Sequence, residues 1–151
     1  MLSQEDSLKL ENQICFPLYV ASRLLTRAYQ PLLDDLGITY PQYLVLLLLW
    51  EKENLYVNEI GQLLFLDTNT LTPLLKRMEK NGLILRKRSE KDERKVTVGL
   101  TEEGKELKEK ALCVPQMIFE KMALEGNEAK YFKQQLEHFI KTLTSEDFKE
   151  K

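Results

Sequence analysis

Histidine is almost absent from this chain: His138 stands alone among 151 residues. A single imidazole excludes most metal sites and most mechanisms in which a neighbouring base activates a nucleophile. Cysteine is nearly as scarce. Cys15 and Cys113 form no CxxC pair, which argues against zinc, and two cysteines do not make a disulfide scaffold. No glycine-rich phosphate loop, internal repeat, low-complexity tract or domain linker is present. The longest apolar run, Tyr43–Trp50, falls far short of the roughly 20 residues that span a bilayer. Met1–Lys9 is polar and mixed in charge, without the apolar core of a secretory signal. These absences predict a cytoplasmic protein with reduced thiols, no metal, no cofactor and no membrane partner.

The length fits about one domain, expected to span 1–151, and 43% apolar content can fill a core. Net charge is only −2, but it is unevenly placed. Thr68–Lys95 holds nine Lys and Arg against four Asp and Glu, a local +5, which leaves −7 for the rest of the chain. A basic patch on an acidic protein is the footprint of a specific nucleic-acid binder rather than a general polyanion trap.

The patch lies in the most patterned stretch. Asp67 or Thr68 caps a helix that ends at Asn81-Gly82. Leu83–Arg88 reads as a strand, a charged loop follows, and Val96, Val98 and Leu100 alternate as a second strand. That is the order of a recognition helix followed by a β-wing. Upstream, Ile14, Leu18, Ala21, Leu25, Ala28 and Leu32 recur on one helical face within about 8–36. Pro17 either opens that helix or kinks it, and Gly37 ends it. A buried helix begins near Pro41, Asn54–Val57 is an extended link, and Asn58 caps the next helix. Thr101 caps a helix with Glu102 and Glu103 at its positive end, and Pro115 interrupts or kinks it. The last helix, about Glu128–Leu143, carries Leu136, Phe139, Ile140 and Leu143. The predicted fold is mainly α with a small β-wing. A winged helix-turn-helix over about 40–101 lies between dimerisation helices at about 8–36 and 102–148. Their apolar faces call for a partner, and a symmetric homodimer is expected.

Residues at the start of a recognition helix meet base edges. Thr68, Asn69, Thr70 and Thr72 carry the hydroxyls and carboxamide for that, and Lys76 and Arg77 suit phosphate. Arg86, Arg88, Lys91, Arg94 and Lys95 line the wing. Arg94 is the best candidate for a narrow minor groove, with Asp92 orienting it or another wing base. If Pro17 lies in the first helical turn, Cys15 sits at a helix N-terminus, where the dipole favours a thiolate. Tyr19 is one turn further along. Tyr29 is fourteen residues on, so an unbroken helix puts it about 21 Å from its own Cys15 but within reach of an antiparallel partner's.

Asp92-x-Arg94 followed by Leu100-Thr101, with Val98 where leucine is commoner, resembles the wing signature of the MarR family of winged-helix regulators. The resemblance covers nearly the whole chain. At the N-terminus, Leu10-Glu11-Asn12-Gln13-Ile14-Cys15-Phe16, Leu18-Tyr19, Tyr29 and Ile38-Thr39-Tyr40-Pro41-Gln42-Tyr43 resemble the OhrR branch, repressors that sense organic hydroperoxides by a thiol. The resemblance implies that Cys15 is the sensing thiol, held by Tyr29 and Tyr40. It also implies a dimer that represses transcription from duplex DNA, at an inverted-repeat operator, until Cys15 is oxidised in oxidative stress. Some relatives resolve the oxidised thiol with a C-terminal cysteine. Cys113 lacks that context and is read as a bystander, which leaves a small cellular thiol to cap Cys15.

Three other readings fit parts of the chain. A MarR-type regulator could instead answer a small phenolic or aromatic ligand, with Cys15 as packing. A thiol peroxidase-like enzyme would need no DNA, against the basic patch and wing. A pure dimerisation adaptor leaves the basic helix unexplained. The sequence therefore predicts a regulator and not an enzyme.

Overall fold

The computed structural model describes residues 3–88, 95–123 and 126–145. The chain divides into two compact units, Met1–Val114 and Pro115–Lys151.

The first unit opens with a short helix, α1 (Gln4–Ser7), and a 3-10 turn at Leu10–Asn12 before the long helix α2 (Cys15–Asp34). The single helix expected over about 8–36 is thus broken before Cys15. The side-chain amides of Asn12 and Gln13 donate back to the carbonyls of Asp6 and Ser7. Such local bonds compete with the helical ladder and hold the chain in a turn. Pro17 is the third residue of α2, where the missing N–H had no intrahelical partner to lose. Of the choices left open by Pro17, the helix start is therefore the one realised. Leu33 is the only buried residue of α2, and Gly37, at φ 69°, lies in the turn that follows the end of the helix at Asp34.

Helix α3 (Tyr40–Glu51) begins where Gln42 Oε1 accepts the Thr39 N–H at 2.9 Å. It buries Tyr43, Val45, Leu46 and Leu49. Strand β1 (Asn54–Tyr56) leads into α4 (Val57–Leu64). Asn58 does not cap α4, which starts one residue earlier. Glu59 reaches back to accept the Tyr56 N–H at 2.6 Å, so the terminus is satisfied from inside the helix. Phe65 then takes a left-handed conformation, φ 54°, to turn the chain toward α5 (Thr68–Lys80).

Asp67 caps α5, its Oδ1 accepting the Thr70 N–H at 2.8 Å. Leu71, Leu74, Leu75 and Met78 recur at three- and four-residue steps and are buried, which fixes the helix by its inner face. At the other end the N–H groups of Gly82 and Leu83 donate to the carbonyls of Glu79 and Met78. This double closure needs the positive φ of 74° that Gly82 supplies without strain. Strands β2 (Ile84–Arg88) and β3 (Val96–Leu100) pair antiparallel, Arg86 opposite Val98. The extended link becomes a third strand, with Leu55 opposite Val98 in the order β1-β3-β2. Ile84 and Val98 are buried with Ile60 and Leu75 in the core.

Thr101 Oγ1 accepts the Gly104 N–H at 3.0 Å and opens α6 (Glu102–Ala111). Helix α7 (Val114–Met122) takes Pro115 as its second residue, so the proline starts a new helix rather than kinking α6. In the second unit, α8 (Gly126–Leu143) buries none of its residues and leaves Phe132, Phe139, Ile140 and Leu143 exposed. Among the described residues no helix is long and apolar enough to cross a membrane.

Candidate nucleic-acid interface and thiol site

With the inner face of α5 buried, its other face is left to solvent. Thr68, Asn69 and Thr70 are exposed in the first turn, Thr72 is half-buried, and Lys76 and Arg77 are exposed further along. The helix thus presents hydroxyls and a carboxamide at its positive end and cations toward its middle.

The wing root is tied to this helix. Glu79, in the last turn of α5, accepts the Arg86 N–H at 3.2 Å and receives the guanidinium at 2.9 Å (Nε) and 2.6 Å (Nη2). The Arg86 guanidinium holds the Glu79 carboxyl below the usual carboxylate range, with the backbone bond adding to it. Arg86, expected to face DNA, therefore has its charge committed to the recognition helix. Arg88 is exposed at the end of β2, and Lys95 lies over the Tyr56 ring, 5.3 Å from its centroid. Lys91, Asp92 and Arg94 lie outside the described residues.

Cys15 is exposed at the first position of α2. The hydroxyl of Tyr19 accepts a hydrogen bond from Arg23 Nη1 at 2.9 Å, and that guanidinium also stacks on the ring. Tyr29 and Tyr40 do meet: their ring centroids are 4.6 Å apart. Burial pushes the Tyr29 phenol up to about 12, and neighbouring Tyr40 and Tyr43 add to it. Burial raises Tyr40 as well. Both groups thus stay protonated at neutral pH and can donate to an anion. Because α2 is continuous, Tyr29 is about 21 Å along the axis from Cys15 of its own chain. The structure brings the two tyrosines together and keeps both cysteines as free, exposed thiols.

Residues 27–111 match the family of transcriptional regulators SarA/Rot. The organic hydroperoxide resistance transcriptional regulator of Bacillus subtilis strain 168 is 54% identical over 143 residues, 95% of this chain and 97% of that one. The chain belongs to the MarR family of winged-helix transcriptional regulators, in its OhrR-like branch. A MarR regulator from Methanosarcina mazei Go1 shares the fold, with TM-score 0.76 at 21% identity over 85% of this chain and 94% of its own. AbfR of Staphylococcus epidermidis has been solved in several redox states. Its reduced form bound to DNA gives TM-score 0.74 at 41% identity, covering 93% of this chain and 97% of AbfR. Its overoxidised form is also bound to DNA, and a disulfide form gives TM-score 0.61 at 40% identity. This MarR-family protein is accordingly a DNA-binding transcriptional regulator with redox-sensing relatives, and not an enzyme.

Two parts of the site escaped the sequence reading. The partner of Glu79 lies beyond the turn at Gly82, although a lone acid among the cations of α5 is a visible signal. Tyr43 stacks on Tyr29 with centroids 5.9 Å apart. It stands three residues after Tyr40 on α3, which puts both on neighbouring positions of one face.

Proposed function

We propose that this regulator is a homodimeric repressor of an inverted-repeat operator, and that organic hydroperoxide releases it from DNA by oxidising Cys15. The observation that carries the reading is the separation of Cys15 from the Tyr29–Tyr40 pair along one unbroken helix. Two protonated phenols grouped away from their own thiol are placed to serve the thiol of a second copy. The exposed apolar side chains of α2 and α8, Leu24, Phe139 and Ile140 among them, are faces for that copy to cover. In the dimer, two α5 helices enter successive major grooves through Thr68, Asn69, Thr70 and Thr72. Lys76, Arg77, Arg88, Lys91 and Lys95 are assigned to phosphate and Arg94 to the minor groove, with Asp92 orienting Arg94 or another wing base.

The Cys15 thiolate, held by Tyr29 and Tyr40 with Tyr19 one turn along, attacks the peroxide. An S–O bond forms, the O–O bond breaks, and the alkoxide leaves as an alcohol once it gains a proton. The resulting sulfenic acid condenses with a small cellular thiol, forming a disulfide and losing water. We assign release to this capped form, since overoxidised AbfR is found on DNA. The cap needs room beside the partner's tyrosines, and making it shifts the subunits off the groove spacing. A cytoplasmic, reducing setting keeps the thiol poised.

Gel shift with operator DNA tests the reading. The reduced protein should bind, and organic hydroperoxide with a small thiol should release it. Sedimentation at micromolar concentration should show about twice the 17.7 kDa chain mass. Binding that persists under oxidant sinks the sensor, and a clean monomer sinks the two-fold operator.

A further inference from the structure

The tyrosine pair is the start of a longer contact path. Tyr29 touches Tyr43, and Tyr43 meets Trp50 edge-on, ring centroids 6.3 Å apart. Tyr43 is 2% exposed, so this contact is interior. Tyr43 and Trp50 lie two turns apart on one face of α3. Trp50 Nε1 then donates to the Gly104 carbonyl at 2.8 Å, a bond between residues 54 positions apart. Gly104 lies so close to the start of the wing that an added Cβ would stand 2.1 Å from the Leu83 carbonyl oxygen. Beside it, Thr101 Oγ1 donates to the Gly82 carbonyl at 2.6 Å and the Thr101 N–H to the Leu83 carbonyl at 3.2 Å. Gly82 and Leu83 are the residues that close α5 and lead into β2 at Ile84. Every link lies within the unit Met1–Val114.

We propose that Tyr43 and Trp50 relay oxidation at the thiol site to the recognition helix and wing, the Trp50–Gly104 hydrogen bond being the coupling to the Gly82–Leu83 junction. The inference rests on the sensor reading of Cys15 and specifies how that site is regulated. Packed interiors do not absorb a displacement by compressing. A partner's capped Cys15 that pushes the Tyr29 ring therefore pushes Tyr43, and α3 carries Trp50 with it. Gly104 follows through its hydrogen bond, and the N-terminus of α6 slides against Leu83. Trp50 touches neither the thiol nor the operator in this scheme; it is a positioning residue. A rigid-body movement of the whole unit, the competing scheme, leaves the surroundings of Trp50 unchanged.

Trp50→Phe keeps a ring against Tyr43 and removes the donor. Cumene hydroperoxide with a small thiol should weaken wild-type operator binding by a factor of about 5–150, the usual range for coupling between sites. In reduced Trp50→Phe, operator binding should match wild type. On oxidation its loss of affinity should shrink toward onefold, although Cys15 still forms sulfenic acid at the wild-type rate by dimedone labelling. Full release of the unlabelled variant by hydroperoxide and small thiol, with labelling of a parallel sample at the wild-type rate, overturns the relay. Wild-type protein that is neither labelled nor released overturns the sensor reading, and the relay with it. A second readout needs no variant of the relay. Trp50 is the only tryptophan, so its emission should change when wild type is oxidised and stay constant in Cys15→Ser. Wild-type release without any change in emission also overturns the relay.

Discussion

Replacing Gly104 with alanine probes how tightly α6 sits on the wing root. In an ordinary helix interior the change stabilises by about 1 kcal/mol. Here the new Cβ would stand 2.1 Å from the Leu83 oxygen, 3.1 Å from the Leu83 carbonyl carbon and 3.1 Å from Leu100 Cδ2. Two of these neighbours are backbone, and the residues next to them are fixed by the pairing of Ile84 with Leu100. Contacts between such atoms settle near 3.5 Å, so α6 must move by on the order of 1 Å. Overpacking of this kind costs about 1–3 kcal/mol. The movement also strains the Trp50–Gly104 and Thr101–Gly82 bonds, each contributing about 1 kcal/mol. Against the helical gain, the net is a loss on the order of 2 kcal/mol, or about 4–8 °C in Tm for a chain of this size. Thermal unfolding followed by circular dichroism, with protomer concentration held fixed, measures it. Operator affinity should fall as well, because the wing root moves. A Tm at or above wild type refutes the packing argument.

Four further outcomes are expected. Arg94→Ala should weaken operator binding by on the order of 1–3 kcal/mol without unfolding the protein, as read by fluorescence anisotropy. Lys76→Ala should weaken binding across all sequences and flatten its dependence on salt; an unchanged slope would put the wrong surface on DNA. Glu79→Gln removes the charge that holds Arg86, so operator affinity should drop while the fold persists. In wild type, the depressed Glu79 carboxyl contributes stability above its unfolded-state pKa that disappears as pH falls through the folded value. The tyrosines act at the other end of the scale. Tyr29 ionises at about 12 when folded but near 10 when unfolded, so stability is undiminished below about pH 10 and declines from there to about 12. Tyr29→Phe should flatten that decline in an alkaline titration of unfolding.

Much of the framework of α5 and the wing is legible because its signals are local. Asp67, Gly82 and Thr101 mark three termini by side-chain or backbone chemistry that acts within four residues. The alternation of Val96, Val98 and Leu100 likewise marks β3 without reference to any other element. The errors occurred where a neighbouring group took over a role. Glu59, not Asn58, satisfies the start of α4, because its carboxylate reaches the Tyr56 N–H. The long N-terminal helix breaks before Cys15 although no glycine or proline stands at residues 8–14, because two side-chain amides turn back to the backbone. Non-local contacts were not legible at all. Nothing in the spacing of Trp50 and Gly104 announces their bond, and Arg86 reads as one more wing cation until Glu79 is seen beside it. Apolar periodicity marks one face of α2 and one of α8, but a period does not name what lies against it.

The central claim is that Cys15, and no other group, converts hydroperoxide into loss of DNA binding. Operator binding of Cys15→Ser and Cys113→Ser, each followed by anisotropy while organic hydroperoxide and a small thiol are titrated in, tests it most directly. Cys15→Ser should bind and stay bound, and Cys113→Ser should bind and be released as wild type is. Release of Cys15→Ser together with retention of Cys113→Ser would contradict the account and assign the sensing role to Cys113.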